Sequence, residues 1–411
     1  MKLLSKVKIS DKMIILADQG IMSGVNFINA ILIAKFLGVH AFGVYAMCLL
    51  AVQFLASIQQ AYIIKPLYSL YPEESKSNKN FLSGVNSVQG IFTIVAGIFF
   101  FGTICFMSLF FEEFQSMQVI LMLTLYASAV TFYDYLRRLL ILAGKTVALL
   151  ISDAVVYGSF FFSTVLMHQL DMLSVINILI INSIFLIGTT MVLMFVLKLS
   201  WSNVETLKVT GRKLWIYSKF LVFTSVLQWF SGNLFILFAG VLLGPVALGV
   251  VRIAQSIMGV FNVLFLAMEN IIPLKAAYIK SDNEKNLIPY FKKTFIVFAI
   301  PVVLMVLVLS LFDNQIISFF GEELNRYGFV IMAFALLYLL VYVNTMQQFF
   351  IRTIKSNDII FKSYVVASIF GILFSKPIIT HWGIIGVLVG LFVTQALVNI
   401  TNYALIKRAI R

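Results

Sequence analysis

The first long apolar segment of the chain carries several polar side chains, which are unfavourable in a helix that faces lipid. The segment DQGIMSGVNFINAILIAKFLG, residues 18–38, combines a carboxylate, carboxamides and a hydroxyl with an apolar run of spanning length. A charge near the bilayer centre costs roughly 2.5 to 3.5 kcal/mol, so intramembrane ionisable groups mark a pathway or face a partner. At about 100° per residue, these groups share an arc of about 140°. They are Asp18, Gln19, Ser23, Asn26 and Asn29.

This polar face suits two kinds of chemistry. Carboxamides and hydroxyls donate and accept hydrogen bonds, while a carboxylate can take up and release a proton. We therefore expect Asn26 and Asn29 to bind substrate and Asp18 to couple an ion. The alternative for each single carboxamide is a structural role, because amide side chains also hold membrane helices together.

A later helix repeats the arrangement around a basic residue. Taking Arg252 as the reference, polar and small residues again fall in an arc of about 140°. They are Gln255, Ser256, Gly259, Asn262, Glu269 and Asn270. We expect Arg252, Lys219, Gln255 and Asn262 to bind substrate, and Glu269 to join Asp18 in ion coupling. Arg252 has a second interpretation, since a long basic side chain near a helix end can snorkel to the surface.

The composition predicts an all-α membrane protein. The chain is 61% hydrophobic and 11% charged, against about 25% charged in soluble domains. A spanning helix needs about 20 mostly apolar residues, and such runs recur along all 411 residues. The candidate spans are 13–34, 41–64, 81–110, 116–136, 147–167, 172–197, 214–242, 246–272, 294–312, 327–351, 359–380 and 383–405.

Lys and Arg gather on one side of these twelve spans. Of the 30 basic residues, 25 fall at the termini or in the loops on the same side as the termini. Cytoplasmic loops hold this positive excess, so we expect both termini in the cytoplasm. The same bias, with attraction to anionic lipid headgroups, accounts for the net charge of +13 without nucleic acid as a partner.

The two halves of the chain share short motifs. LGVHAFGVY at 37–45 aligns with LGPVALGVV at 243–251 at an offset of 206, and PLYSLY from Pro66 aligns with PLKAAY from Pro273 at 207. Because six spans are an even number, the halves are predicted to be parallel repeats. We expect two six-helix lobes, residues 1–205 and 206–411, with the substrate path between them.

The remaining ionisable residues indicate neither an enzyme nor a metal or cofactor site. His40, His168 and His381 lie far apart at predicted external helix ends, without the clustered spacing of a metal site. No Walker-type glycine loop occurs. In FYDYLRRLL, Asp134 with Arg137 and Arg138 has the spacing of an interfacial helix pair, while the role of Asp153 is left open.

Several motifs together resemble a known family. They are QGxxSGxNFxNxxLxAKFLGxxxFGxYA from Gln19, LRRLLILAGK at 136–145 and WGIIGVLVG at 382–390. The opening motif resembles that of polysaccharide-export flippases of the Wzx type. These flippases belong to the multidrug/oligosaccharidyl-lipid/polysaccharide exporter superfamily.

The resemblance implies a substrate and a mechanism. The substrate is an undecaprenyl-diphosphate-linked oligosaccharide, moved across the bacterial inner membrane by alternating access between two lobes for assembly of O-antigen or capsule. The resemblance also implies basic residues that meet the diphosphate, a role that falls on Arg252 and Lys219. The implied partners are the bilayer, a polysaccharide polymerase and chain-length machinery.

Two other functions remain open. A drug or organic-cation exporter of the same superfamily would have a cavity dominated by acidic groups, whereas here Arg252 and Lys219 oppose Asp18 and Glu269. A membrane glycan polymerase or acyltransferase would display a large external loop or a clustered site of His and carboxylates. The sequence shows neither.

Overall fold

The computed structural model describes residues 9–77, 80–109, 112–354, 356 and 358–410. These residues form helices, a π-helical turn at Gln60–Ile64, short 3-10 turns and connecting loops, and they contain no β-strand. The helices are α1 (Ile9–Gln59), α2 (Lys65–Ser77), α3 (Phe81–Met107), α4 (Met117–Leu142), α5 (Thr146–Gln169), α6 (Val175–Val196), α7 (Val204–Leu243), α8 (Pro245–Ile257), α9 (Gly259–Asp282), α10 (Leu287–Leu311), α11 (Asp313–Ser318), α12 (Gly328–Thr353) and α13 (Asp358–Ile410).

Ten helical stretches within the described part of the chain are long and apolar enough to cross a membrane. Two of them, Met13–Pro72 and Asp358–Ala409, have 60 and 52 residues, at least twice the roughly 20 that one crossing needs. Gly38 and Gly383 interrupt these stretches with non-helical backbone, so each stretch divides into two helical segments that are each long enough for one pass. The predicted all-α fold with about twelve spans is confirmed, while the cytoplasmic placement of the termini stays a prediction.

The predicted eighth span is built differently from a single helix. The sequence predicts one helix over 246–272, but α8 ends at Ile257 and α9 begins at Gly259. Met258 between them has φ −64° and ψ −10°, and its N–H still bonds to the carbonyl of Ala254. Phe261 then bonds to the carbonyl of Met258, three residues back, so the helical hydrogen-bond pattern changes in the middle of the predicted polar face.

The chain forms two compact units. Unit 1 contains the residues up to Leu32 together with Cys48–Val226, and unit 2 contains Ile33–Met47 together with Leu227–Arg411. In unit 1, α4 packs against α3, α5 and α6, and in unit 2, α12 packs against α8, α9, α10 and α13. The helices α4 and α12 carry the main polar clusters described below. The division into lobes 1–205 and 206–411 stays a prediction.

One glycine conformation recurs at matched positions of the two halves. Gly38 has φ 83° and ψ 164°, and its counterpart Gly244 has φ 87° and ψ 178°. Glycine adopts such positive φ angles at no steric cost because it has no Cβ. Each of the two residues stands between two helical segments, so the sequence repeat corresponds to a repeated turn.

A second pair of matched glycines allows a close crossing inside unit 2. A Cβ added at Gly43 would overlap the carbonyl oxygen of Pro245, and one added at Gly249 would overlap the carbonyl oxygen of Val39. Val39 and Pro245 are themselves separated by the repeat offset of 206. The same contact is thus made twice with the roles of the two helices exchanged, as an approximate twofold axis between matched segments requires.

Candidate functional site

Asp18 lies in a buried ion cluster of unit 1. Its Oδ2 atom is 3.2 Å from Nη2 of Arg137, and Oδ2 of Asp153 is 2.6 Å from the same nitrogen. Nε of Arg137 also donates to both carboxylate oxygens of Asp153 at 2.8 Å. The helices α1, α4 and α5 each supply one member, and the three side chains are at most 5% exposed.

A less buried carboxylate, Asp134, extends this cluster. Its Oδ1 atom lies 3.5 Å from Arg137 and 3.5 Å from Arg138. Its Oδ2 atom accepts a hydrogen bond from Gln60 in the π-helical turn at 3.0 Å. The helix pairs predicted for FYDYLRRLL are present, and Arg137 is in addition buried against Asp153 and Asp18. The position of these pairs at a membrane interface stays a prediction.

The cluster carries more negative than positive groups. Asp18, Asp134 and Asp153 face the two guanidinium groups of Arg137 and Arg138. The formal charge is therefore one negative. Oδ1 of Asp18 has no hydrogen-bond donor among the described residues, so this oxygen is the place where a proton or small cation would neutralise the cluster.

The carboxamides of α1 lie in two settings. Asn26 and Ser23 are exposed, whereas Asn29 is 1% exposed. Neither the amide nitrogen nor the amide oxygen of Asn29 has a hydrogen-bond partner within the described chain. Leaving buried polar atoms unbonded is costly, so Asn29 would gain from a water molecule or a ligand.

The second predicted polar face is formed in part. Arg252 is partly buried on α8, and its Nη1 donates to Oε1 of Gln255 at 2.9 Å. The hydroxyl of Ser256 bonds to the carbonyl of Arg252 at 2.9 Å. These three residues share a face as predicted, while Asn262 is exposed on α9, beyond the break at Met258.

Two other predicted residues have different surroundings. Lys219 is exposed on α7 in unit 1, with Nζ 5.3 Å from the ring centroid of Phe220. Glu269 is exposed on α9 in unit 2, and its Oε1 lies 3.4 Å from Nη1 of Arg352 in the last turn of α12. The sequence did not single out Arg352.

A hydrogen-bonded cluster around Tyr364 in unit 2 was also missed. The Tyr364 hydroxyl faces the amide nitrogens of Asn344 at 3.3 Å, Gln348 at 3.0 Å and Gln228 at 3.4 Å. Oδ1 of Asn344 accepts from Asn402 at 3.1 Å. The carboxamides come from α7, α12 and α13. Because these helices are far apart along the chain, the sequence did not indicate that their side chains meet. The indication that the sequence did contain was the position of these polar side chains inside apolar spans.

The chain is similar to known transporters both in a family profile and in fold. The MatE family profile matches residues 221–380. A solved structure of "Lipid II flippase MurJ, inward closed conformation" aligns with a TM-score of 0.75 at 14% identity, covering 97% of this chain and 88% of that chain. The fold is that of a membrane transporter. A search of curated proteins finds no significant match.

Multidrug transporters share this fold. The inward-facing conformation of a multidrug resistance MATE family transporter of the MOP superfamily aligns with a TM-score of 0.72 at 12% identity, covering 95% of this chain and 94% of that one. The eukaryotic MATE transporter AtDTX14 aligns with a TM-score of 0.62 at 13% identity, covering 98% and 95%. The transporter fold is thus matched over nearly the whole length of the chain.

Proposed function

We propose that this chain is a flippase of the polysaccharide-export type within the MOP superfamily, and not an enzyme. It moves an undecaprenyl-diphosphate-linked oligosaccharide across the bacterial inner membrane by alternating access between its two lobes. The product serves O-antigen or capsule assembly, with a polysaccharide polymerase and chain-length machinery acting after it.

The observation that carries this proposal is the match in fold to a lipid II flippase, with a TM-score of 0.75 over 97% of this chain. Arg252 adds a chemical reason, because a guanidinium group binds a diphosphate through several charge-assisted hydrogen bonds. Its neighbour Gln255, 2.9 Å away, holds it in place. The prenyl tail needs no protein site, since it can remain in the lipid.

The other predicted residues take supporting parts in this proposal. Asn26 and Asn262 are exposed, and Asn29 has unbonded amide atoms within the described chain, so these carboxamides can bond to sugar hydroxyls. Lys219, exposed on α7, supplies a second cation for the diphosphate.

Asp18 is the group that we propose to couple a proton or another small cation to transport. Its cluster has a formal charge of one negative, and Oδ1 of Asp18 is without a donor among the described residues. A buried net charge is costly to maintain, so uptake of one positive charge is favoured and would weaken the contact of α1 with Arg137.

The test is a deletion of the gene in its host, followed by mass spectrometry of extracted lipid-linked oligosaccharides and a measurement of surface glycan. We expect completed repeat units to accumulate and surface polymer to be lost. Wild type should restore export, and Arg252→Ala should reduce it at least tenfold at equal membrane levels. Arg326→Ala is the matched control, since that exposed arginine lies beside Tyr327 at a predicted external end. Unchanged lipid-linked pools in a strain without a second flippase would reject the proposal.

A second candidate function is export of drugs or organic cations. The MatE match over 221–380 and the MATE structures favour it, as does the net negative cluster around Asp18. In that case the deletion strain becomes sensitive to ethidium while its lipid-linked oligosaccharides and surface glycan stay unchanged. The same strain therefore separates the two functions.

A further inference from the structure

Arg352 stands at the outer edge of the Tyr364 cluster and is held loosely. Its Nη1 lies 3.4 Å from Oε1 of Glu269, and its Nη2 lies 3.3 Å from Oε1 of Gln348. Charge-assisted hydrogen bonds are usually about 2.7–2.9 Å long, as in the bonds from Arg137 to Asp153. The Arg352 side chain is 48% exposed, so much of its five-donor guanidinium group can reach a ligand.

The residues behind Arg352 form a network of carboxamides around the Tyr364 hydroxyl. Amide nitrogens of Asn344, Gln348 and Gln228 all face the hydroxyl oxygen of Tyr364. A hydroxyl oxygen has two acceptor lone pairs. The Gln348 amide also lies 3.4 Å from Oδ1 of Asn344, so the three amides share two acceptors. Gln228 is the exposed member of the three and makes the longest of the three contacts to Tyr364, at 3.4 Å.

A second cation lies next to this group. Nζ of Lys280 on α9 donates to the carbonyl oxygen of Thr353, the residue after Arg352, at 3.3 Å. Arg352, Lys280 and the carboxamide network that includes the exposed Gln228 thus come together at one end of α12. Their chemistry suits an anion that carries polar groups of its own, such as a diphosphate joined to a sugar.

The group around Arg352 and Glu269 is separated from Arg252 along the helices α8 and α9. Arg252 and Glu269 are 17 positions apart, which is at most about 25 Å along α8 and α9 at 1.5 Å per residue. That distance is close to the thickness of a bilayer core, about 30 Å. Arg352 is on the side that the positive-inside pattern predicts to be cytoplasmic.

We propose that Arg352 forms a second diphosphate-binding site, at the predicted cytoplasmic end of unit 2, in which the diphosphate replaces Glu269 as the partner of Arg352. Gln348 and Gln228 bond to the sugar next to the diphosphate. The identity of this anion rests on the proposed function. Glu269 then acts as the counter-ion of the empty site, and not in ion coupling.

The test measures binding to the purified full-length protein in phosphatidylcholine nanodiscs. The probes are farnesyl diphosphate, inorganic pyrophosphate to detect a free-anion site, and farnesol as the uncharged control. The variants are measured in wild-type and Arg252→Ala backgrounds, since the second background removes the cation proposed at the other end.

Arg352→Ala should weaken farnesyl diphosphate binding about ten- to a hundredfold, the factor for losing a charged hydrogen bond. Glu269→Gln should strengthen it about two- to fivefold, because an exposed competing ion pair is lost. The double variant should behave like Arg352→Ala. Lys362→Ala and Asp358→Asn, which break an exposed pair at 2.7 Å within α13, are the matched controls and should change nothing.

Two results would overturn this site. One is unchanged binding in Arg352→Ala, and the other is weaker binding in Glu269→Gln, which would indicate a structural ion pair. Glu269→Gln keeps the test decisive even when Arg352→Ala folds poorly. Stronger binding of pyrophosphate than of farnesyl diphosphate would show that the site binds a free anion and not a lipid headgroup. Binding is measured with the purified protein and is independent of the deletion strain. The binding site can therefore be rejected while the deletion strain supports the flippase. The flippase can likewise be rejected while the binding site is supported.

Discussion

At the scale of single residues, the buried guanidinium group of Arg137 has the largest structural consequence. It bonds to Asp153 and Asp18 across three helices, with its own side chain 5% exposed. Arg138, its neighbour in sequence, is 29% exposed and contacts only Asp134 among the described carboxylates. These two adjacent arginines thus differ in burial, so substituting each in turn compares a buried guanidinium group with a partly buried one.

We predict that Arg137→Met destabilises the protein by about 3–5 kcal/mol, because removing one partner leaves two buried carboxylates uncompensated. Arg138→Met should cost less, about 1 kcal/mol, because its ion pair with Asp134 is only partly buried. Thermal unfolding of the detergent-solubilised variants, followed by size-exclusion chromatography, measures both. Adding Asp153→Asn should restore part of the loss in Arg137→Met. Equal stability of the two arginine variants would contradict the charge balance described here.

At the scale of helices, the matched glycines fix how α8 meets the segment that follows Gly38. Small residues let membrane helices approach closely, and at Gly43 and Gly249 the approach leaves no room for a methyl group. The geometry repeats at both sites because the sequence repeats. The crossing is therefore a feature of the elements and not of one residue.

Gly43→Ala and Gly249→Ala should each destabilise the protein by about 1–3 kcal/mol, the cost of overpacking a tight contact. Gly102→Ala on α3 is the control, since a Cβ there meets no atom within 4 Å. Fluorescence-detected thermal melting of the three variants provides the comparison. If Gly102→Ala lost as much stability as the other two, the close crossing would not be the cause.

At the scale of the whole molecule, the twelve passes that the sequence predicts would place both termini on the same side of the membrane. The distribution of Lys and Arg predicts that this side is the cytoplasm. We expect a green fluorescent protein fused after Arg411 to fluoresce, and alkaline phosphatase fused after Asp171, between α5 and α6, to be active. Active phosphatase at the C-terminus would reverse the predicted orientation, or show that the number of passes is odd.

The sequence by itself determined the helical class and the repeated motifs, and it predicted about twelve spans. Apolar runs of spanning length leave few alternatives in lipid, since backbone groups must be satisfied within each segment. The positions of Gly38 and Gly244 were also visible, because an alignment at one offset needs no tertiary contact. The same local reasoning identified Arg252 and Gln255 as neighbours, three residues apart on one helix.

Only the tertiary structure decided which polar groups face each other. Asp18 and Arg137 are 119 residues apart, and Gln228 and Tyr364 are 136 residues apart. Helical periodicity fixes the face of one helix and carries no information about which other helix packs against it. For the same reason the break at Met258 could not be seen in a continuous apolar pattern. The burial of Arg137 and the pairing of Glu269 with Arg352 therefore depend on helix packing, which the sequence pattern leaves open.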